Sequence, residues 1–175
     1  VEPPDRSDKA LPEKPWAATG HHNKRPHNII NSLYLQASEL ERLVDERFER
    51  YEKIKATEQR SESMFTEDAD IVVVAYGAAA RVCMSAIKDA RAKGIRVGIV
   101  RPITLWPFPV DALKAAAKNA KAFLTVEMSK GQMVDDVKLA IDCCRPVHFY
   151  GRTGGMIPQP AEVLREIEKI AGGIR

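Results

Sequence analysis

Between Asp70 and Arg101 the sequence reads DIVVVAYGAAARVCMSAIKDARAKGIRVGIVR, and this stretch constrains the fold more than any other. Ile71 to Tyr76 is an unbroken run of six apolar residues, rich in valine. A run that short and β-branched predicts a strand buried on both faces, as in parallel sheets. Gly77 interrupts it, and the apolar period then changes. Val82, Ala86 and Ala90, with Cys83 and Ile87, fall at helical spacing. Gly94 follows Lys93 where a left-handed helix terminator belongs. Ile95 to Val100 predicts a second strand. A strand–helix–strand unit with so tight a connection places the surrounding domain in the α/β class.

The remainder of the chain extends that pattern. Pro102, Pro107 and Pro109 predict an irregular, stiff loop from Arg101 to Pro109, with Trp106 and Phe108 between the prolines. Val110 to Asn119 predicts an alanine-rich helix, and Ala122 to Val126 a third strand. Ser129 and Gln132 have capping-box spacing, which predicts a helix over 130–142. Pro146 to Tyr150 predicts a fourth strand. The last helix is expected to start near Pro160, with Gln159 as its cap, and to end before Gly172. Right-handed crossovers then give a three-layer αβα sandwich with a mostly parallel sheet.

Ahead of this domain, Leu33, Ala37, Leu40, Val44, Phe48, Tyr51 and Ile54 are spaced by three and four residues and predict one long amphipathic helix over 28–60. Its stripe either crosses the chain's own sheet domain or binds another domain or subunit, the second being preferred. Residues 61–68 read as a polar connector. Val1 to Pro15, with four prolines among charges, reads as a linker. The expected organisation is therefore a linker-like extended segment over 1–27, helix and connector over 28–66, and the α/β domain over 67–175. His21, His22 and His27 invite a metal reading. Their spacing fits no helical ligand pair and no Cys or carboxylate stands beside them, which favours a solvated or partner-facing loop.

Composition removes several function classes. Apolar residues make up 45% of 175, enough for a substantial core. The 27 basic and 24 acidic residues leave a formal charge of +3, too small and too dispersed to argue for nucleic acid. Cys83, Cys143 and Cys144 form no CxxC pair, so a reduced, cytoplasmic setting is expected rather than a disulfide framework or a cluster site. No signal peptide and no membrane-spanning apolar run is visible. Val1 in place of an initiator methionine suggests a piece of a longer polypeptide.

In open α/β sheets ligands meet the crest at the C-terminal strand ends. Four loops reach that crest: Gly77–Arg81, Arg101–Pro109, Glu127–Gln132 and Gly151–Pro158. GAAAR is neither GxGxxG nor a Walker loop, so Gly77 serves a tight turn. Arg81 stands where the helix dipole favours negative charge, which points to an acidic partner or to an exposed arginine. Glu127 ends a buried strand, where a lone carboxylate needs a partner: an arginine such as Arg101 or Arg152 is expected to pair with it, the alternative being that it acts on chemistry in a neighbouring domain. Arg152, with Gly154 and Gly155, either cradles a phosphate or makes a sharp return into the last helix. These residues, with Gln132, are the candidates, and they assemble no catalytic, cofactor or metal site.

The blocks RPITLWPFP, VEMSKGQM and FYGRTGGMIP, with IVVVAYGAAAR before them, resemble the α subunits of 2-oxoacid:ferredoxin oxidoreductases. The segment HN…LYLQ…RYEKIKATEQRSE is similar to what precedes that domain in the same subunits, so the likeness runs from about Trp16 to the end. The branched-chain, 2-ketoisovalerate group is the most similar and the 2-oxoglutarate group second. The resemblance implies a fold like the transketolase C-terminal domain. It also implies a parent complex that decarboxylates a 2-oxoacid with coenzyme A and reduces ferredoxin, using thiamine diphosphate, Mg²⁺ and iron–sulfur clusters held outside this chain. The implied partners are the N-terminal domain of the same subunit, the other subunits and, through them, ferredoxin. Two other readings stay open: the C-terminal domain of a transketolase or pyruvate dehydrogenase β subunit, and a free-standing flavodoxin-like binding module.

Overall fold

In a computed structural model, which describes residue 10 and residues 12–29 and 31–174, five strands form one sheet of order β1-β3-β2-β4-β5. The elements are α1 (Ala37–Thr57), β1 (Ser61–Met64), β2 (Ile71–Val74), α2 (Gly77–Ala92), β3 (Val97–Pro102), α3 (Val110–Ala117), β4 (Ala122–Glu127), α4 (Met133–Ala140), β5 (Val147–Gly151) and α5 (Pro160–Gly173). β2 pairs parallel with both β3 and β4, and β4 parallel with β5. β1 runs antiparallel along the outer edge of β3.

The valine-rich run becomes the central strand because every residue of β2 has a covered face on either side. Ile71 and Val73 join the core under α2 and α5, with Cys83, Ile87, Val163 and Ile167. Val72 and Val74 join the core under α3 and α4, with Leu113, Phe123, Val137 and Ile141. The two cores make the expected αβα sandwich. Each fully buried Val or Ile contributes about 1.5–3 kcal/mol, so β2 anchors both layers.

The structure corrects several boundaries. The first helix is shorter than 28–60: it starts at Ala37. Asn31 accepts from the Leu33 amide at 3.0 Å and donates to its carbonyl at 2.9 Å, a local side-chain turn that competes with helix. Residues 61–68 are not only connector, since Ser61–Met64 forms β1. The segment after Arg101 is not wholly irregular, since β3 runs through Pro102, which sits at its last position opposite Ser61. The fourth helix covers Met133–Ala140 rather than 130–142.

Two compact units divide the chain, Val1–Glu46 and Arg47–Arg175. In the first, residues 12–27 were expected as an extended linker, yet they turn back on themselves. Arg25 donates to the carbonyls of Ala17 and Gly20, and Asn28 to those of Pro15 and Ala17. His21 and His27 stack with ring centroids 4.1 Å apart. The linker expected over 1–15 lies largely outside the described residues.

Candidate functional site

Leaving β2 the chain winds toward β3, while β4 leads away to β5, so the winding order reverses between the adjacent parallel strands β2 and β4. A crevice at that switch point is where open α/β sheets place their functional surface. Two helix N-termini flank it, those of α2 and α4, and they are built differently.

At the head of α4 stands Glu127, almost completely buried at the end of β4. Its Oε2 accepts from the Ser129 hydroxyl at 2.8 Å and from the amides of Gln132 and Met133 at 3.1 Å; Oε1 accepts from the Val134 amide at 2.9 Å. The carboxylate thereby takes the orphan donors of the helix and sits at its positive end. This corrects the expectation of an arginine partner: Arg101 pairs with Glu62 at 2.7 Å and Arg152 with Glu162 at 2.6 Å. It also corrects the capping box, because Ser129 Oγ receives the Gly131 amide at 3.1 Å while α4 begins after Gln132. Gln132 contributes its backbone. Along α4, Asp136 has its carboxyl pushed up by burial and by the charges of Asp135 and Glu127.

The N-terminus of α2 has no such carboxylate. Tyr76 precedes it with no side-chain cap, and no acidic residue lies in the first turn. Gly77 has φ +57°, a left-handed conformation that glycine adopts without strain at the strand-to-helix corner. Beside this corner opens a pocket of about 450 Å³, lined by Glu62, Met64, Gly77, Arg81, Met84 and Arg101 among others. Arg101 is tied to Glu62. Arg81 is exposed and has no ion-pair partner among the described residues. Gly77, Arg81 and Arg101 are thus brought together, whereas Glu127 and Gln132 belong to the neighbouring helix head.

The loop after β5 closes the far side. Arg152 donates to Glu162 within that pair, and Glu162 Oε2 accepts from the Gln159 amide at 2.9 Å. That amide first, then the Tyr150 hydroxyl and the Arg152 charge, holds the Glu162 carboxyl below the usual carboxylate range. Arg152 is raised in turn, first by Tyr150 and then by Glu162. Gly154 and Gly155 form a left-handed turn in open space. At Gly151 a Cβ would stand 2.3 Å from the Ser129 carbonyl oxygen, so only glycine lets this loop lie against the head of α4.

The stiff loop with Trp106 and Phe108 expected over 101–109 is one part of a wider apolar crest. Tyr76, Ile103, Leu105, Trp106, Met128, Met156 and Ile157 all stay exposed there. Trp106 packs its ring against Tyr51 of α1 at 5.1 Å, and Tyr51 lies 5.6 Å from Phe48. In the sequence Trp106 and Phe108 alternate with prolines, and of the two Trp106 stays exposed while Phe108 packs against the core. Among the described residues no helix is long and apolar enough to cross a membrane, and no group of three or more His, Cys, Asp or Glu side chains comes together to hold a metal.

Comparison with known proteins places this geometry. The family model for pyruvate:ferredoxin oxidoreductase core domain II matches residues 69–163, β2 to the first turn of α5. The ketoisovalerate oxidoreductase subunit VorB of Methanothermobacter marburgensis is 41% identical over 169 residues, which is 97% of this chain and 47% of that protein. The 2-oxoglutarate synthase subunit KorA of the same organism is 39% identical over 103 residues, 59% of this chain and 28% of its own length. The chain thus spans about half the length, or less, of these curated relatives. Among solved structures, a 2-oxoglutarate:ferredoxin oxidoreductase from Magnetococcus marinus, with 2-oxoglutarate, coenzyme A and succinyl-CoA bound, shares the fold. It has a TM-score of 0.67 at 20% identity, over 78% of this chain and 24% of that one. Because the family model covers more than half of the residues, the chain belongs to the pyruvate:ferredoxin oxidoreductase core domain II family, within the 2-oxoacid:ferredoxin oxidoreductases.

Proposed function

We propose that this chain supplies core domain II to the α subunit of a branched-chain, 2-ketoisovalerate:ferredoxin oxidoreductase. The parent would decarboxylate the 2-oxoacid, pass two electrons to ferredoxin and transfer the acyl group to coenzyme A. The observation that carries this reading is the 41% identity to VorB across nearly the whole chain, including the segment ahead of the sandwich. The likeness to KorA covers 59% of the chain, so the 2-oxoglutarate reading stands second.

Within such an enzyme the chain acts as scaffold and docking face. In this reading thiamine diphosphate with its Mg²⁺ and the iron–sulfur clusters are held by the remainder of the subunit and its partners. Glu127 bonds to the head of α4 and Arg152 to Glu162, and both are read as structural. The pocket at Gly77, Arg81 and Arg101 is the place where an acidic group from a neighbour would be received. The exposed apolar side chains of the crest and of α1 are the surface that the neighbouring domain and subunits would cover.

Purification of the parent from its native cells tests the reading. Recovery with thiamine diphosphate, iron–sulfur subunits and ferredoxin reduction driven by a 2-oxoacid is the expected result. A parent isolated alone, without thiamine or clusters, would overturn the function and leave the fold.

A further inference from the structure

Away from the crest, the end of α4 presents two cysteines side by side. Cys143 and Cys144 are both exposed and free of any disulfide, while the third cysteine, Cys83, is buried on the inner face of α2 with its thiol pushed up to about 12 by burial. The turn that carries the pair is held on several sides. The Cys143 amide donates to the Lys138 carbonyl at 2.9 Å and the Cys144 amide to that of Ile141 at 3.1 Å. Asp142 is clamped to Lys114 of α3 at 2.8 Å, and Arg145 donates to the Ala117 carbonyl at 3.2 Å. Asp142 and Cys143 both take left-handed backbone, with φ of 52°. Two non-glycine residues in that conformation fold the chain tightly where the thiols emerge.

A disulfide between the two is unfavourable. Consecutive Cα atoms across a trans peptide lie about 3.8 Å apart, whereas unstrained disulfides need roughly 4.4–6.8 Å. The pair therefore persists as two neighbouring thiols, beside the Lys114–Asp142 ion pair. A single atom inserted between the sulfurs relieves the strain that a direct bond would impose. Soft thiolate donors select soft centres over the oxygen-seeking ions.

We propose that Cys143 and Cys144 form a dithiol site that captures trivalent arsenicals bidentately. Two arsenic–sulfur bonds form as the arsenic–oxygen bonds of the oxide break, and the oxygen leaves as water with both thiol protons. No electron changes hands.

The test uses the whole protein, reduced and metal-free, with phenylarsine oxide as the probe and intact-mass and peptide-mapped spectrometry as readout. One arsenical per chain is expected, spanning residues 143 and 144. It should survive excess glutathione and be released by a 1,2-dithiol. Cys143→Ser and Cys144→Ser, each checked for an unchanged circular dichroism spectrum, should both weaken binding by at least about 100-fold, because each removes the intramolecular second bond. The proposal is overturned if either variant binds within about threefold of the parent, if two arsenicals load on one chain, or if glutathione strips the adduct as readily as the dithiol does.

Discussion

The two strand–helix junctions beside the switch point use the same architecture for opposite ends. At β4–α4 a buried carboxylate closes the helix head with four hydrogen bonds, and the following glycine-dependent loop seals over it. At β2–α2 the helix head has no acidic cap, faces an open pocket and places Arg81 where its own dipole disfavours it. A junction that spends its donors internally contributes to stability. One that leaves them open, next to cations, contributes to folding only weakly and is available to a group from outside. Chemistry-bearing residue types at a strand end are therefore not enough to identify a site, since Glu127 has the more suggestive side chain and the more closed surroundings.

The largest expected effect lies at the closed junction. Glu127→Ala removes an acceptor of four bonds and leaves buried amides unpaired, costing about 3 kcal/mol or more in denaturant unfolding. Glu127→Gln should cost less, since its one carbonyl oxygen still accepts. A loss below roughly 0.5 kcal/mol for the alanine variant would show that the helix head is satisfied without the carboxylate. Next comes Gly151→Ala, whose methyl group would press on the Ser129 carbonyl and on Phe149. A backbone oxygen cannot move as a side chain can, so about 1–3 kcal/mol is expected from the same measurement. Wild-type stability would mean that the loop is not seated against α4.

Smaller again is a pH effect. The Glu162 carboxyl is held low in the fold, chiefly by the Gln159 amide. Its ionised form thus stabilises the protein fully above the unfolded value near pH 4.3, and that contribution fades as pH falls through the lower, folded value. Glu162→Gln should lower stability at neutral pH, with the gap to the parent narrowing on acidification below about pH 4. Parallel stability curves would contradict the assignment. The smallest change belongs to the open junction. Arg81→Glu should leave stability unchanged or raise it by a few tenths of a kcal/mol, through a better match to the helix dipole. A clear loss of stability would make Arg81 a structural residue and dissolve the contrast between the two junctions.

Much of this was legible in the residues. The six-residue apolar run and the change of period after Gly77 specify β2 and α2, because burial on two faces and on one face leave different patterns. β1 left no such mark. SESM is polar, and its pairing is supplied by the exposed edge of β3 rather than by its own side chains. The start of α1 was misread because an apolar stripe continues through Leu33, while the Asn31 side chain has already diverted the backbone. Glu127 was flagged correctly as a buried acid in need of a partner. The partner was a helix end formed by Gln132, Met133 and Val134 amides, and backbone donors have no residue signature. The extent of the exposed apolar crest was less legible: Trp106 stood out between prolines, but Ile103 and Leu105 read as ordinary apolar residues until the fold shows them outside both cores.

The most direct test of the central claim is a substrate panel on the purified parent complex, with ferredoxin reduction followed in the presence of coenzyme A. The account predicts the highest kcat/KM for 2-ketoisovalerate, with 2-oxoglutarate well below it. Preference for 2-oxoglutarate, or no reduction of ferredoxin with any 2-oxoacid, would contradict it.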